Sequence, residues 1–338
     1  MSDSQNLTGP LTWQDIAAGG ILMSYGALGL LIYGIVTVAL FKLAKKLNGF
    51  KFLFSEAIAN NLLFLQFGLW TGLLIFLRFD PLGQSSRLYV ATYCDFTWFS
   101  MSQHYILIAW SRLVAIKFPI WFKFRKPSFI YGLLIASYCF AFGQSLFLHF
   151  AIDWFSMFYF EPTQYGMTTA NWTHYHLSGT GNFWYTYHVI IIGVPLTLYV
   201  LTAVILFRSS RAAVKPEANQ KDSRSLSVEK RLLVPCAINS LVYLLGEVAF
   251  KTAGLTGKWG TWAYSFIFMT NSFVNPFLLV GFSSVVRETT VELLIGKEND
   301  GATAFSMGAT KSNVSNVQQT RVRSIQVSPK PSNAGHQN

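Results

Sequence analysis

The sequence predicts an all-α membrane protein, a bundle of seven membrane-crossing helices followed by a short amphipathic helix. Three observations carry this. Seven apolar stretches run through the chain, at 16–41, 52–77, 88–116, 128–150, 183–207, 232–254 and 260–284. Each meets the need for about 20 apolar residues to cross a hydrocarbon core. The 338 residues are 52% hydrophobic and only 12% charged, against about 25% charged in a soluble domain. Finally, 22 of the 26 Lys and Arg fall on one side of the alternating loops.

That side holds Lys42, Lys45, Lys46 and Lys51, then Arg112, Lys117, Lys123, Arg125 and Lys126, then seven cations from Arg208 to Arg231 and six from Arg287 onward. The other side holds Arg78, Arg87, Lys251 and Lys258. Positive charge stays cytoplasmic, so a multi-pass plasma-membrane protein with its N-terminus outside is expected. The same placement excludes a nucleic-acid surface, because the cations follow the loops rather than one patch. Met1 to Pro10 is polar and lacks a cationic n-region, so the first span is expected to act as its own insertion signal. The domains are then an extracellular 1–15, a helical 16–294 and a disordered cytoplasmic tail, 295–338.

Taken in order, the first span is followed by a short basic loop, and the second carries Asn60-Asn61. The third runs from Asp95 near its start to Arg112 near its end. After the fourth, the segment 153–182 is the longest outer loop, rich in Tyr, Trp, Thr and His without Lys or Arg. The fifth contains Pro195, and a polar, basic inner loop, 208–230, leads to the sixth with Glu247. The seventh carries Asn271-Ser272 and Asn275-Pro276. Beyond it, Val285, Val286, Val291, Leu293 and Leu294 alternate with Arg287, Glu288 and Glu292, a pattern for a helix lying along the membrane surface. Asn6 and Asn171 head sequons on the expected outside and are candidate glycosylation sites. Asn313 heads a third in the expected inner tail.

Two carboxylates are read inside spans, Asp95 and Glu247, and intramembrane acids default to functional roles. Asp95 lies 17 residues before Arg112, about 25 Å away at 1.5 Å per residue. Glu247 reaches a similar depth, as do Trp98 and His188. Aromatic walls with a few polar groups suit a ligand pocket, so Asp95, Trp98, His188 and Glu247 are candidate ligand contacts. The competing reading keeps both acids protonated and bonded to Thr97, Tyr243 or backbone. Proline in the seventh span removes a backbone donor, and Asn271, Ser272, Asn275 and Asn61 form a polar seam able to satisfy the freed carbonyl. The plain alternative is a simple kink. Arg112 is either a switch residue or an arginine snorkelling to the interface. Cys94, Cys139 and Cys236 fit no zinc spacing, and the outer loop has no cysteine for a disulfide. No nucleophile–base pair, phosphate loop or metal cluster stands out, so neither an enzyme nor a cofactor is implied.

The run from Trp110 through Ser111-Arg112-Leu113-Val114-Ala115-Ile116 to Pro119 resembles the Asn-Arg-Phe-x-Ala-Ile-x-x-Pro signature of nematode serpentine chemoreceptors, relatives of the rhodopsin-like receptors. Asn271 to Leu279 is similar to their Asn-Ser-x-x-Asn-Pro-x-x-Tyr. Ala59-Asn60-Asn61-Leu62-Leu63 resembles Ala-x-Asp-Leu-Leu, with Asn61 at the acid, and Pro195 matches the proline of helix five. The resemblance covers about 16–294, and class X is the group most resembled. It implies a G-protein-coupled chemosensory receptor whose partners are an extracellular small molecule, a heterotrimeric G protein and membrane lipid. Asn61, Ser111, Arg112, Asn271, Ser272, Asn275 and Pro276 would serve coupling and switching. The departures are definite: Ser111 replaces the acidic neighbour of Arg112, Leu279 the helix-seven tyrosine and Tyr33 the helix-one asparagine. Helix six lacks Cys-Trp-x-Pro, helix four lacks its tryptophan, and helix seven lacks a lysine for retinal. A peptide or amine receptor is the nearest alternative, though a peptide receptor would show an outer hairpin held by a disulfide. A seven-helix ligand-gated channel subunit would place its N-terminus inside, and a transporter would show two related halves.

Overall fold

The computed structural model describes residues 10–212, 220–252 and 257–296. Among these, seven long helical runs form the bundle. The first is α1 (Trp13–Ala44). The second is α2 (Asn48–Leu63), continued through a π-helical stretch, Phe64–Trp70, into α3 (Thr71–Leu77). The third is α4 (Arg87–Lys117), followed by the short α5 (Pro119–Lys123). The fourth is α6 (Pro127–Ala151), the fifth α8 (Thr180–Ala212), the sixth α9 (Gln220–Thr252) and the seventh α10 (Gly257–Phe282). Between α6 and α8 stand β1 (Phe158–Glu161), β2 (Gly166–Thr169) and α7 (Trp172–Leu177). α11 (Ser284–Ile295) closes the described chain.

Local chemistry sets the ends. Thr12 and Asp15 form a reciprocal capping box at the start of α1, which satisfies two of the orphan amides there. Proline begins both α5 and α6, where its fixed φ suits a first turn. Ser283 caps α11, and Gly296 ends it with φ 68, the left-handed cap glycine favours. α1 and the π-helical stretch touch at Gly26 and Gly68, where a Cβ on Gly26 would sit 2.7 Å from Gly68 Cα. Only glycine allows that approach.

Five runs are long and apolar enough to cross a membrane by length and composition: Trp13–Ala44, Asn48–Leu77, Pro127–Ala151, Thr180–Arg208 and Gly257–Phe282. The sixth offers a shorter apolar helix, Arg231–Gly246. The third is more polar than the sequence expectation of seven apolar spans. α4 packs against α2, α6, α8 and α9 and buries Thr92, Asp95, Thr97, Ser100, Ser102, His104, Ser111 and Arg112. Enclosed by other helices, it meets protein rather than lipid, and polar residues there can be partnered.

Two further expectations are corrected. The outer segment 153–182 is structured rather than a plain loop. β1 and β2 pair antiparallel, Phe158 opposite Thr169 and Glu161 opposite Gly166. The seventh helix starts at Gly257, so Lys258 belongs to its first turn. Asn6, Asn313, the tail beyond residue 296 and the side chain of Glu247 lie outside the described residues.

Candidate functional site

A cavity of about 810 Å³ opens at the face where α1 begins and the hairpin lies. Asp95, Trp98 and His188 line it, as the sequence led us to expect, together with Phe67, Trp184 and Tyr264. The π-helical stretch of the second run supplies Phe67, whose ring meets Phe160 of the hairpin at 5.9 Å and Phe268 of α10 at 5.8 Å. Trp98 stands edge-on to Phe268 at 4.3 Å and to His188 at 6.2 Å. The hairpin adds Phe158, Met167 and Thr168 to the wall, and α7 adds Trp172, Tyr175 and His176. The sequence expectation of a plain loop here gives no hint of that contribution. Asn171 caps α7 with its side-chain oxygen on His174 N at 2.9 Å, which leaves the amide nitrogen, the atom that carries a glycan, outside the cap.

Asp95 has a partner the sequence did not suggest. His149 Nε2, at the end of α6, lies 2.8 Å from Asp95 Oδ2. Thr97 instead donates to Gln66 Oε1 at 2.6 Å and to Cys94 O at 2.9 Å. The expected pairing of the acid with Thr97 or Tyr243 gives way to a carboxylate–imidazole bridge between α4 and α6.

The hairpin is held without a disulfide. Tyr165, at its turn with φ 56, donates its hydroxyl to Asp15 Oδ1 at 2.6 Å. Arg78 Nε lies 3.7 Å from Asp15 Oδ2, and Lys258 donates to Gln14 and reaches Tyr165. Arg87 pairs with Glu161 at 3.4 Å and stacks over Tyr159. Burial first, and the Asp15 carboxylate second, push the Tyr165 phenol up to about 12. Gly166 lies so close to α10 that a Cβ would meet Thr261 O at 2.6 Å. The outer hairpin is thus ordered without the disulfide that would mark a peptide receptor.

Toward the opposite face, where α4 ends, the expected polar seam is present but rearranged. Ser272 Oγ donates to Asn60 Oδ1 at 2.7 Å. Asn275 Nδ2 donates to Tyr33 OH at 2.7 Å, and Asn271 Nδ2 to Tyr105 OH at 3.0 Å. Asn60, not Asn61, faces this seam. Asn61 turns to α1 and donates to Thr37 Oγ1 at 2.9 Å, because one residue rotates a helix position by about 100°. Pro276 is buried beside Asn275. The seam also contains a third intramembrane acid, one that the sequence expectation of two in-span carboxylates omits although it lies inside the predicted span 52–77: Glu56 is 2% exposed and accepts from Asn239 Nδ2 of α9 at 3.4 Å.

Arg112 does not snorkel. It is fully buried, and its Nη2 donates to Gly49 O, in the first turn of α2, at 3.0 Å. Its charge acts on Glu56. Ser111 donates instead to Ile108 O at 2.8 Å. The arginine is thus set against α2 rather than against its own neighbour, in keeping with the missing acid at position 111.

The fold is similar to that in the crystal structure of squid rhodopsin, with a TM-score of 0.67 at 13% identity, covering 88% of this chain and 89% of that one. Curated proteins give no match. Residues 23–282 match the family described as "Serpentine type 7TM GPCR chemoreceptor Srx", a match over most of the chain's helical domain. With its rhodopsin-like bundle and its aromatic cavity, the chain belongs to that family of seven-helix chemoreceptors.

Proposed function

We propose that the chain is a chemosensory receptor that takes a small molecule from the extracellular side into the hairpin-face cavity and activates a heterotrimeric G protein at the Arg112 face. The observation that supports this most is a continuous path between the two. Trp98 in the cavity wall meets Tyr243 at 5.9 Å, Tyr243 meets Tyr105 at 5.3 Å, and Tyr105 accepts from Asn271 in the polar seam. The seam leads on to Glu56, whose field Arg112 shares.

Ligand contacts are assigned to Asp95, Trp98, His188 and Glu247. Switching is assigned to Arg112, Asn271, Ser272, Asn275 and Pro276, flanked by Ser111 and Asn61 and completed by Glu56, Asn60 and Tyr33. The walls are aromatic and the Asp95 carboxylate is already engaged by His149, which favours an aromatic, hydrogen-bonding ligand over a simple cation. The ligand would act by favouring the state that opens a crevice beside Arg112, a shift limited by its differential affinity for the two states. The basic loops support a cytoplasmic position for that crevice and an extracellular one for Asn171.

The test is a ligand screen on cells expressing the chain, reading cAMP and calcium together. A hit that signals through the natural chain and fails with Trp98→Ala at equal surface level supports the reading. A hit whose potency ignores Trp98→Ala and His188→Ala removes the cavity from it. Tags beside Asn171 and Asn313, stained with and without permeabilisation, test the orientation. A tag near Asn313 visible on intact cells would reject a cytoplasmic coupling face.

A further inference from the structure

We propose that the junction between the α1–α2 loop and the start of α6 is a binding site for the phosphate headgroup of an anionic phospholipid, with Lys51 and Arg125 as its cationic ligands. Lys51 is only 6% exposed. Its Nζ donates to Asn48 Oδ1 at 2.6 Å and lies 5.7 Å from the Tyr131 ring. The carboxylates of Asp15, Asp95 and Glu161 are engaged elsewhere, by Arg78, His149 and Arg87, and among the described residues no carboxylate pairs with the Lys51 ammonium. A buried charge without a counter-charge is strongly disfavoured, and a cation kept in that position points to an anion that fills the site.

Arg125 gives the second, independent observation. Its guanidinium stacks on Trp121 at 4.0 Å and on Phe129 at 4.5 Å. Its Nε is buried with no hydrogen-bond partner among the described residues. Asn48 ties the Lys51 ammonium to the backbone of the segment that carries Arg125: its oxygen takes the ammonium, while its nitrogen donates to Phe122 O at 2.8 Å and to the Arg125 carbonyl at 3.4 Å.

The surroundings suit a lipid more than a free anion. Segments 42–51 and 117–126 hold eight Lys and Arg and no Asp or Glu. Phe129 and Tyr131 at the start of α6 are 39% and 45% exposed, an aromatic rim of the kind found at headgroup level. An arginine fork and a lysine point charge together match phosphate oxygens, and basic pockets between helices at a membrane surface take such headgroups.

The full chain would be reconstituted in nanodiscs of phosphatidylcholine alone, with phosphatidylinositol bisphosphate, or with phosphatidylserine at matched charge. Native mass spectrometry would count retained lipid, and melting temperature would report stabilisation. The expected result is retention of the bisphosphate lipid, reduced roughly tenfold or more by Lys51→Met and by Arg125→Gln as charge-assisted hydrogen bonds disappear. Lys51→Met should also melt no lower than the natural chain in phosphatidylcholine alone, because it removes an unanswered buried charge, and its lipid-induced shift should vanish. Arg125→Gln decides the matter if Lys51→Met fails to fold. Unchanged retention in both variants overturns the proposal, as does an equal loss in Lys42→Gln, which would mean general surface attraction. Equal stabilisation by soluble inositol phosphate would make the site one for a free anion. Stabilisation by purified G protein with no effect of lipid would assign the surface to a protein partner.

Discussion

At the hairpin face, the chain joins its elements by single side chains that reach between loops and helix ends, Tyr165 to Asp15, Arg87 to Glu161 and Lys258 to Gln14. Beneath them lies the cavity of about 810 Å³. At the Arg112 face, the polar groups sit within the helices themselves. Tyr33, Glu56, Asn60, Ser272 and Asn275 are each 3% exposed or less and are linked across α1, α2, α9 and α10. The difference is one of consequence. When a part-exposed partner such as Glu161 or Lys258 is removed, water can take its place, although the Tyr165–Asp15 bond is itself buried. When a partner inside the bundle is removed, a buried donor or acceptor is left unsatisfied. On the proposed reading, one end would admit a ligand and the other would hold one of two packings.

Mutations sharpen that contrast. Glu56→Ala should have the largest effect, because it strips Asn239 of its acceptor and removes the carboxylate whose field Arg112 shares. A destabilisation of about 1–3 kcal/mol, the cost of leaving buried donors unsatisfied, would be read as a lower melting temperature and reduced surface level. Tyr33→Phe comes next. It removes the 2.7 Å acceptor of Asn275 Nδ2 while the Asn275 side chain keeps its bond to Glu56, a cost of about 1 kcal/mol for one hydrogen bond. A variant as stable as the natural chain would show that the seam is loosely packed.

At the other face, Tyr165→Phe removes only the hydroxyl that meets Asp15. We expect about 1 kcal/mol or less, because Asp15 keeps its bonds to Thr12 and its pairing with Arg78, with ligand association and dissociation both faster and the affinity little changed. If this variant destabilises more than Tyr33→Phe, the contrast between the faces is reversed. Asp95→Asn should be the mildest, lowering ligand potency less than about tenfold, the equivalent of 1.4 kcal/mol, because His149 already engages the acid. A much larger drop, confined to cationic ligands, would mean that the ligand displaces His149.

One face is far more legible in the sequence than the other. Asn271, Ser272 and Asn275 stand out because polar residues in an apolar helix are rare and must find partners. Their partners are harder to name. Even so, Glu56 and Asn60 share a helix face at i and i+4, and Glu56, inside the predicted span 52–77, is legible by the same rule that singles out Asp95 and Glu247. The choice between Asn61 and Asn60 is a one-residue matter that only packing against α1 and α10 decides. Depth along the helices alone brings Asp95, Trp98 and His188 together, and the cavity does gather them. His149 escapes because its bond crosses from α6 to α4, at a sequence separation of 54 residues. The hairpin is partly readable: Phe158-Tyr159-Phe160 favours a strand, and Pro162 to Gly166 has turn residues at both ends. A cysteine pair, the usual sign of an outer hairpin, is missing from it, and the hydroxyl and carboxylate that replace it lie 150 residues apart.

Occupancy of the cavity and engagement of a G protein at Arg112 are, on this account, thermodynamically linked. The direct measurement is the affinity of a screened ligand for the reconstituted chain with and without purified heterotrimeric G protein. Linkage requires each partner to raise the other's affinity by the same factor, about 5–150-fold for a coupling of 1–3 kcal/mol. We expect such a rise for the natural chain and none for Arg112→Gln, whose ligand affinity without G protein should be unchanged. A ligand affinity indifferent to G protein, or a full rise retained in Arg112→Gln, would contradict the account.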